Sequence, residues 1–187
     1  MIRVPNWVGD AVMAEPSLRE LRRIFSEARI TLVARPWVAG LFDGEGLADE
    51  VIPLHDARGF VQTAGHFLSG ARRLRRERFD FAVLLQNAFG AALLARAAGA
   101  RTVAGYPTDG RRALLDYVIP LEPGHNTAHQ VRYYLNIAAR LEQRLKGESR
   151  VEIETAQPRL RATDEAKERA ARMLEVRGMT RSPIVAI

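Results

Sequence analysis

The sequence predicts an α/β fold, a Rossmann-like, doubly wound, mainly parallel sheet with helices on both faces. Two observations carry this. Short apolar runs bounded by Gly, Pro and polar residues alternate with longer stretches of helical periodicity, the order that a parallel sheet with crossover helices requires. The clearest run, residues 81–85 (FAVLL), is continuously apolar rather than alternating, as in a strand covered on both faces.

Taken in order, residues 2–4 read as a short first strand. Residues 11–27 read as a helix, with Leu18, Leu21, Ile24 and Phe25 spaced for one apolar face and Pro16 early enough to kink or restart it. Residues 30–33 (ITLV) form a second strand, 36–42 a short helix and 51–54 (VIPL) a third strand. A helix over 62–78 places Phe67, Leu68, Ala71 and Leu74 on one side. After 81–85 comes an Ala/Leu-rich helix at 89–98, ended by Gly99, and a strand at 102–105 (TVAG). A long amphipathic helix is expected over 126–145, capped by Asn126 or Thr127. A last helix at 164–177 has Thr163 at its cap, acids in its first turn and Gly178 beyond its end. Residues 184–187 (IVAI) read as the opening of a further strand, so the chain is expected to stop at the start of a second domain. The short first strand suggests a clipped amino end.

The length of 187 residues suits one domain with a real core, or one plus part of another, and 47% hydrophobic residues fits a folded chain rather than a disordered one. The absence of cysteine excludes disulfides and thiolate chemistry. A net charge of +6 and a pI of about 10.4 favour anionic partners. No apolar run approaches the ~20 residues of a membrane span, so a soluble protein is expected.

In a doubly wound sheet, ligands bind beyond the carboxyl ends of the strands. Segments 6–10, 35–37, 55–58 and 87–89 lie in such loops. Gly9-Asp10, taken alone, favours a structural reading: a tight turn and a helix cap. The positive end of the helix stabilises the charged carboxylate, which works against a strong base. Arg72, Arg73, Arg75, Arg76 and Arg78 face only Glu77 before the next strand. They read first as a solvated helix face and second as a patch for phosphates or anionic headgroups. Arg111 and Arg112, after a Gly-containing turn, divide evenly between ordinary surface charges and an anion clamp. His125 and His129 are one helical turn apart but lack a third ligand, so no metal site is read. There is no phosphate-loop lysine motif, no G-x-G-x-x-G, no nucleophilic serine elbow and no nucleic-acid-reading module.

Four stretches in order, RVPNWVGDAVMAEPSLRELR, LLQNAFGAALLARAAGARTVAGY, RRALLDY and HQVRYYLNIAARL, resemble the ADP-heptose:lipopolysaccharide heptosyltransferases, glycosyltransferase family 9. The resemblance covers nearly the whole chain but only the amino-terminal half of the family's length. It implies the amino-terminal domain of a two-domain GT-B glycosyltransferase, here truncated. Residues 1–160 would be the acceptor-binding domain. Residues 161–187 would be an interdomain helix and the first strand of a donor-binding domain. The implied activity is inverting transfer of heptose from ADP-heptose to an inner-core heptose of lipopolysaccharide, with no cofactor and no essential metal. Asp10 maps to the family's catalytic base. Asn6, Asn87, Arg111, Arg112, His129 and Arg132 are the acceptor-side candidates, with Arg72, Arg73 and Arg76 weaker ones. The implied partners are a lipid A-linked core oligosaccharide, ADP-heptose and the cytoplasmic face of the inner membrane, and not nucleic acid. The chain alone is expected to be inactive. The alternative is a non-catalytic basic module that binds anionic glycolipid or a protein partner.

Overall fold

The computed structural model describes residues 1–55, 60–124 and 129–179, without the side chains of residues 60–63. Six strands form one parallel sheet: β1 (Ile2–Arg3), β2 (Thr31–Ala34), β3 (Glu50–Pro53), β4 (Phe81–Leu84), β5 (Thr102–Gly105) and β6 (Tyr117–Val118). Their order is β3-β2-β1-β4-β5-β6, so the winding reverses between β1 and β4. The helices are α1 (Val8–Ile24), α2 (Pro36–Ala39), α3 (Phe60–Arg75), α4 (Phe89–Ala97), α5 (Gln130–Lys146) and α6 (Asp164–Val176). Two single-turn 3-10 segments, Gly40–Phe42 and Arg111–Leu114, complete the elements. No helix among the described residues is long and apolar enough to cross a membrane.

The predicted fold class holds, and the strand pleat shows why. Leu32, Ala34, Val83, Leu85 and Ala104 point to one face and pack on α1 and α5 through Leu18, Leu21, Ile137 and Leu141. Val33, Ala82, Leu84 and Val103 point to the other and pack on α3 and α4 through Ala71, Leu74, Ala92 and Ala95. Each fully buried leucine contributes about 1.5–3 kcal/mol, so two-sided covering is what a continuous apolar strand such as β4 needs.

Several boundaries differ from the sequence reading. Helix α1 begins at Val8, runs through Pro16 and ends at Ile24. Its N-cap position is Trp7, which makes no side-chain capping bond, so Asp10 lies within the first turn and is not the cap. Strand β6 was not anticipated, because two half-buried residues, Tyr117 and Val118, carry no periodicity. Helix α5 starts at Gln130, with His129 as its cap: the His129 ring nitrogen accepts from the Val131 N–H at 3.3 Å. Asn126 and Thr127, the expected caps, lie outside the described residues, as do His125, Arg58 and the strand expected at 184–187. Helix α6 is as anticipated, with the Thr163 hydroxyl accepting from the Ala166 N–H at 3.1 Å.

Two buried carboxylates fasten the irregular segment that leads from α5 to α6. Glu142 on α5 accepts two hydrogen bonds from the Arg23 guanidinium of α1, at 2.7 and 2.8 Å, and a third from the Arg150 N–H at 2.8 Å. Glu15 on α1 pairs with Arg19 and accepts from the Arg159 N–H at 2.9 Å. The fork of Arg23 on Glu142 lowers that carboxyl's pKa from 4.5 to about 2 against the opposing effect of burial. A lowered pKa gives stability that is complete above the unfolded-state value and disappears as pH falls through the folded-state value. Glu142→Gln is therefore expected to cost roughly 2 kcal/mol at neutral pH. The gap to the parent protein should close between pH 4.5 and about 2, as followed by urea unfolding across that range.

Candidate functional site

The reversal between β1 and β4 puts two loops side by side at the carboxyl edge of the sheet, Val4–Trp7 and Leu85–Ala88. Each is held by a buried arginine. On the β1 side, Arg3 is 3% exposed and donates to the carbonyls of Val4 (2.8 Å) and Val33 (2.9 Å) and to Asn6 Oδ1 (2.6 Å). Arg35, after β2, donates to the same Asn6 oxygen (3.2 Å) and to the Leu54 carbonyl beyond β3 (3.3 Å). The Trp37 indole N–H donates to the Asn6 carbonyl at 2.8 Å. The loops following β1, β2 and β3 are thus tied together through Asn6. The Asn6 amide nitrogen makes no hydrogen bond among the described residues.

On the β4 side the organiser is Arg111. It is fully buried, which corrects its reading as a surface charge. Its guanidinium donates to the carbonyls of Tyr106 (2.8 Å), Gln86 and Ala88 and to Asn87 Oδ1 (2.9 Å). Burial lowers its pKa, and the surrounding carbonyls satisfy the cation that remains. Gly105 on the neighbouring strand lets β4 and β5 pack closely: a Cβ there would come within 3.1 Å of Leu84 Cβ and 3.3 Å of the Leu84 carbonyl oxygen. Asn87 in turn donates to the Tyr133 hydroxyl at 2.6 Å, which links this loop to α5. The Tyr106 hydroxyl donates to the Tyr133 carbonyl (2.7 Å) and accepts from Asn136 (2.9 Å). Burial pushes the phenols of Tyr106 and Tyr133 upward, so both stay neutral hydrogen-bonding groups.

Asp10 is half-buried on the first turn of α1, directly beyond β1. It accepts no hydrogen bond and forms no ion pair among the described residues, and space is open beside Gly9 before it. Its charge reaches Tyr134 on α5: burial first, and Asp10 second, raises that phenol's pKa. Asn6, Asp10, Asn87 and the first turns of α5 therefore converge at the reversal. A cavity of about 270 Å³ opens on the α3 and α4 side of this edge, lined by Arg3, Arg35, His55, Phe67, Gln86 and α4, and neither Asn6 nor Asp10 lines it. Gln86 Oε1 is buried there without a hydrogen-bond partner among the described residues.

The other sequence candidates are less directly placed. His129 is exposed and caps α5. Arg132 pairs with Glu154. Arg112 is exposed, next to buried Arg111. Arg72 and Arg73 are exposed on the last turns of α3 and Arg76 in the turn just after it, where the chain runs back toward the start of β4. They lie toward the edge of the sheet opposite the loops and join no part of this site. Arg3, Arg35, Trp37 and Tyr133 were not singled out from sequence as site residues. Their roles depend on contacts across strands and between loops, which local periodicity does not carry.

Comparison with known proteins gives a consistent result. The family model described as glycosyltransferase family 9 (heptosyltransferase) matches residues 67–187. Lipopolysaccharide heptosyltransferase 2 of Escherichia coli K12 is 30% identical over 118 residues, covering 63% of this chain and 34% of that protein. The protein of the same name from Salmonella typhimurium is 31% identical over 90 residues, 48% of this chain and 26% of that protein. The solved structure of E. coli ADP-heptose LPS heptosyltransferase II superposes with a TM-score of 0.69 at 23% identity, covering 92% of this chain and 49% of that one. A family 9 glycosyl transferase from Veillonella parvula gives 0.77 at 20% identity, covering 98% and 50%. The chain spans about half the length of these solved structures and a smaller share of the two curated relatives.

The network around Arg111 makes its own prediction. Arg111→Met strands several buried carbonyls and is expected to cost about 3 kcal/mol in urea unfolding. Arg111→Lys keeps the charge but loses the planar fork, and is expected to recover only part of that.

Proposed function

The chain belongs to glycosyltransferase family 9, and from that membership we propose that it supplies the acceptor half of a heptosyltransferase of lipopolysaccharide core synthesis. The observation that carries the reading is the Asp10 carboxylate: half-buried at the reversal of the sheet and free of internal partners among the described residues. Arg3, Arg111 and Asn87 are engaged within the two clamps, and Asn6 is engaged through its oxygens. Asp10 is left to meet a substrate.

In the proposed reaction an acceptor hydroxyl lies against Asp10. As its oxygen attacks the anomeric carbon of ADP-heptose, the bond from that carbon to the diphosphate oxygen breaks. The electron pair leaves with ADP, the hydroxyl proton passes to Asp10, and the anomeric centre inverts. Asn6 offers its amide N–H to a sugar hydroxyl, and Arg3 and Arg35 fix the Asn6 side chain that presents it. Residues 1–160 form the acceptor domain, and 161–187 lead toward a donor-binding half that corresponds to the part of the relatives this chain does not span. The acceptor is the lipid A-linked core, reached at the cytoplasmic face of the inner membrane. The basic balance of the chain, +6, suits that anionic surface.

Asp10→Asn in the complete enzyme tests the assignment. The variant is expected to keep the circular dichroism and melting behaviour of the parent while turnover falls by about 10² or more. Near-normal turnover would remove Asp10 as the base and return the non-catalytic binding module to first place.

A further inference from the structure

The loops after β1 and β2 each carry a tryptophan, and these are the only two in the 187 residues. Trp7 is 75% exposed and Trp37 is 58% exposed. Tryptophan is usually among the most buried side chains by area, so two exposed indoles on adjacent loops need a reason. Loose placement is not the reason for Trp37. Its N–H is held by the Asn6 carbonyl at 2.8 Å, and it follows Pro36 at the start of α2. The edge of the ring is fixed while much of its surface stays open. Trp7 follows Asn6 directly, with extended backbone (φ −92°, ψ 141°) at the head of α1. The two indoles therefore flank one peptide unit, three residues before Asp10.

We propose that Trp7 and Trp37 form an aromatic platform against which a pyranose ring of the acceptor saccharide stacks. This rests on the reading of the cleft as a sugar-acceptor site. A pyranose is amphipathic in the matching way, with a face of C–H bonds and a rim of hydroxyls. The indoles take the face. The unengaged Asn6 amide N–H and the Asp10 carboxylate take the rim. A purely apolar protein surface laid on the same ground would bury that amide and that charge without partners, at a cost a sugar avoids. Stacking would also set the height of the ring above the Asn6–Asp10 turn, so that one hydroxyl, rather than any of several, faces the base.

The test uses complete enzyme labelled with fluorotryptophan, with the Trp7 and Trp37 fluorine resonances assigned by Trp7→Phe and Trp37→Phe. The probe is the deacylated, heptosylated inner-core saccharide, and its binding is measured in parallel by calorimetry. Both resonances are expected to shift and saturate with the calorimetric curve. Trp37→Ala is expected to raise the acceptor KM about ten-fold with little change in the donor KM, and Trp37→Phe to recover most of that loss. If calorimetry shows the saccharide binding while both resonances stay still, or if folded Trp37→Ala keeps its acceptor KM, the platform is overturned and the acceptor-domain reading stands. If the saccharide does not bind the parent enzyme at all, that reading fails and the platform with it.

Discussion

Arg111 is the interaction on which the arrangement of this edge depends. A guanidinium removed from water must find acceptors for its donors, and here the acceptors are the carbonyls of Gln86, Ala88 and Tyr106 and the Asn87 amide oxygen. Those groups come from the loop after β4 and the residue after β5. Their own need to be satisfied on burial makes the requirement mutual. Once Asn87 Oδ1 is held by Arg111, its amide nitrogen faces the Tyr133 hydroxyl, and α5 is drawn into the same network. Gly105 precedes Tyr106 at the end of β5, where any side chain would press on Leu84 of the adjacent strand.

Arg3 does a corresponding job on the other side of the reversal. It is buried, it binds two carbonyls, and it holds an asparagine oxygen, in this case Asn6. The difference lies in what is left over. Asn87 is engaged at both ends of its amide, by Arg111 and by Tyr133. Asn6 is engaged only through its two oxygens, so its nitrogen keeps its hydrogens for something else. Two similar clamps thus give two unlike loops, one closed on itself and one with a free donor beside Asp10.

The fold was legible because it rests on periodicity, which a single sequence carries. The FAVLL strand, the Leu18–Leu21 stripe and the TVAG strand all mark positions whose neighbours in the chain share their burial. Helix starts were less legible. Asp10 looks like a cap by residue type, but α1 begins at Val8 behind an uncapped Trp7, because packing of Ala11, Ala14 and Leu18 decides where the helix forms. Arg111 and Arg112 are indistinguishable as letters. One is buried and the other exposed, and what separates them is the set of acceptors that the loop after β4 and Tyr106 turn toward Arg111. The site is least legible where it depends on such long-range contacts: Arg3 to Val33, Trp37 to Asn6, Asn87 to Tyr133.

Asp10 lies in the first turn of α1 without capping it, and that leaves its oxygens unoccupied among the described residues. An aspartate that caps a helix has its oxygens occupied by backbone N–H groups and would have to give them up to accept a proton. Asp10 has no such bonds among the described residues. It sits half out of water, with the neutral phenol of Tyr134 close enough to feel its charge. A substrate that covers it would remove the remaining water and strengthen its hold on the one hydroxyl it meets. The fold's contribution is to engage the neighbouring clamp residues and leave this one free.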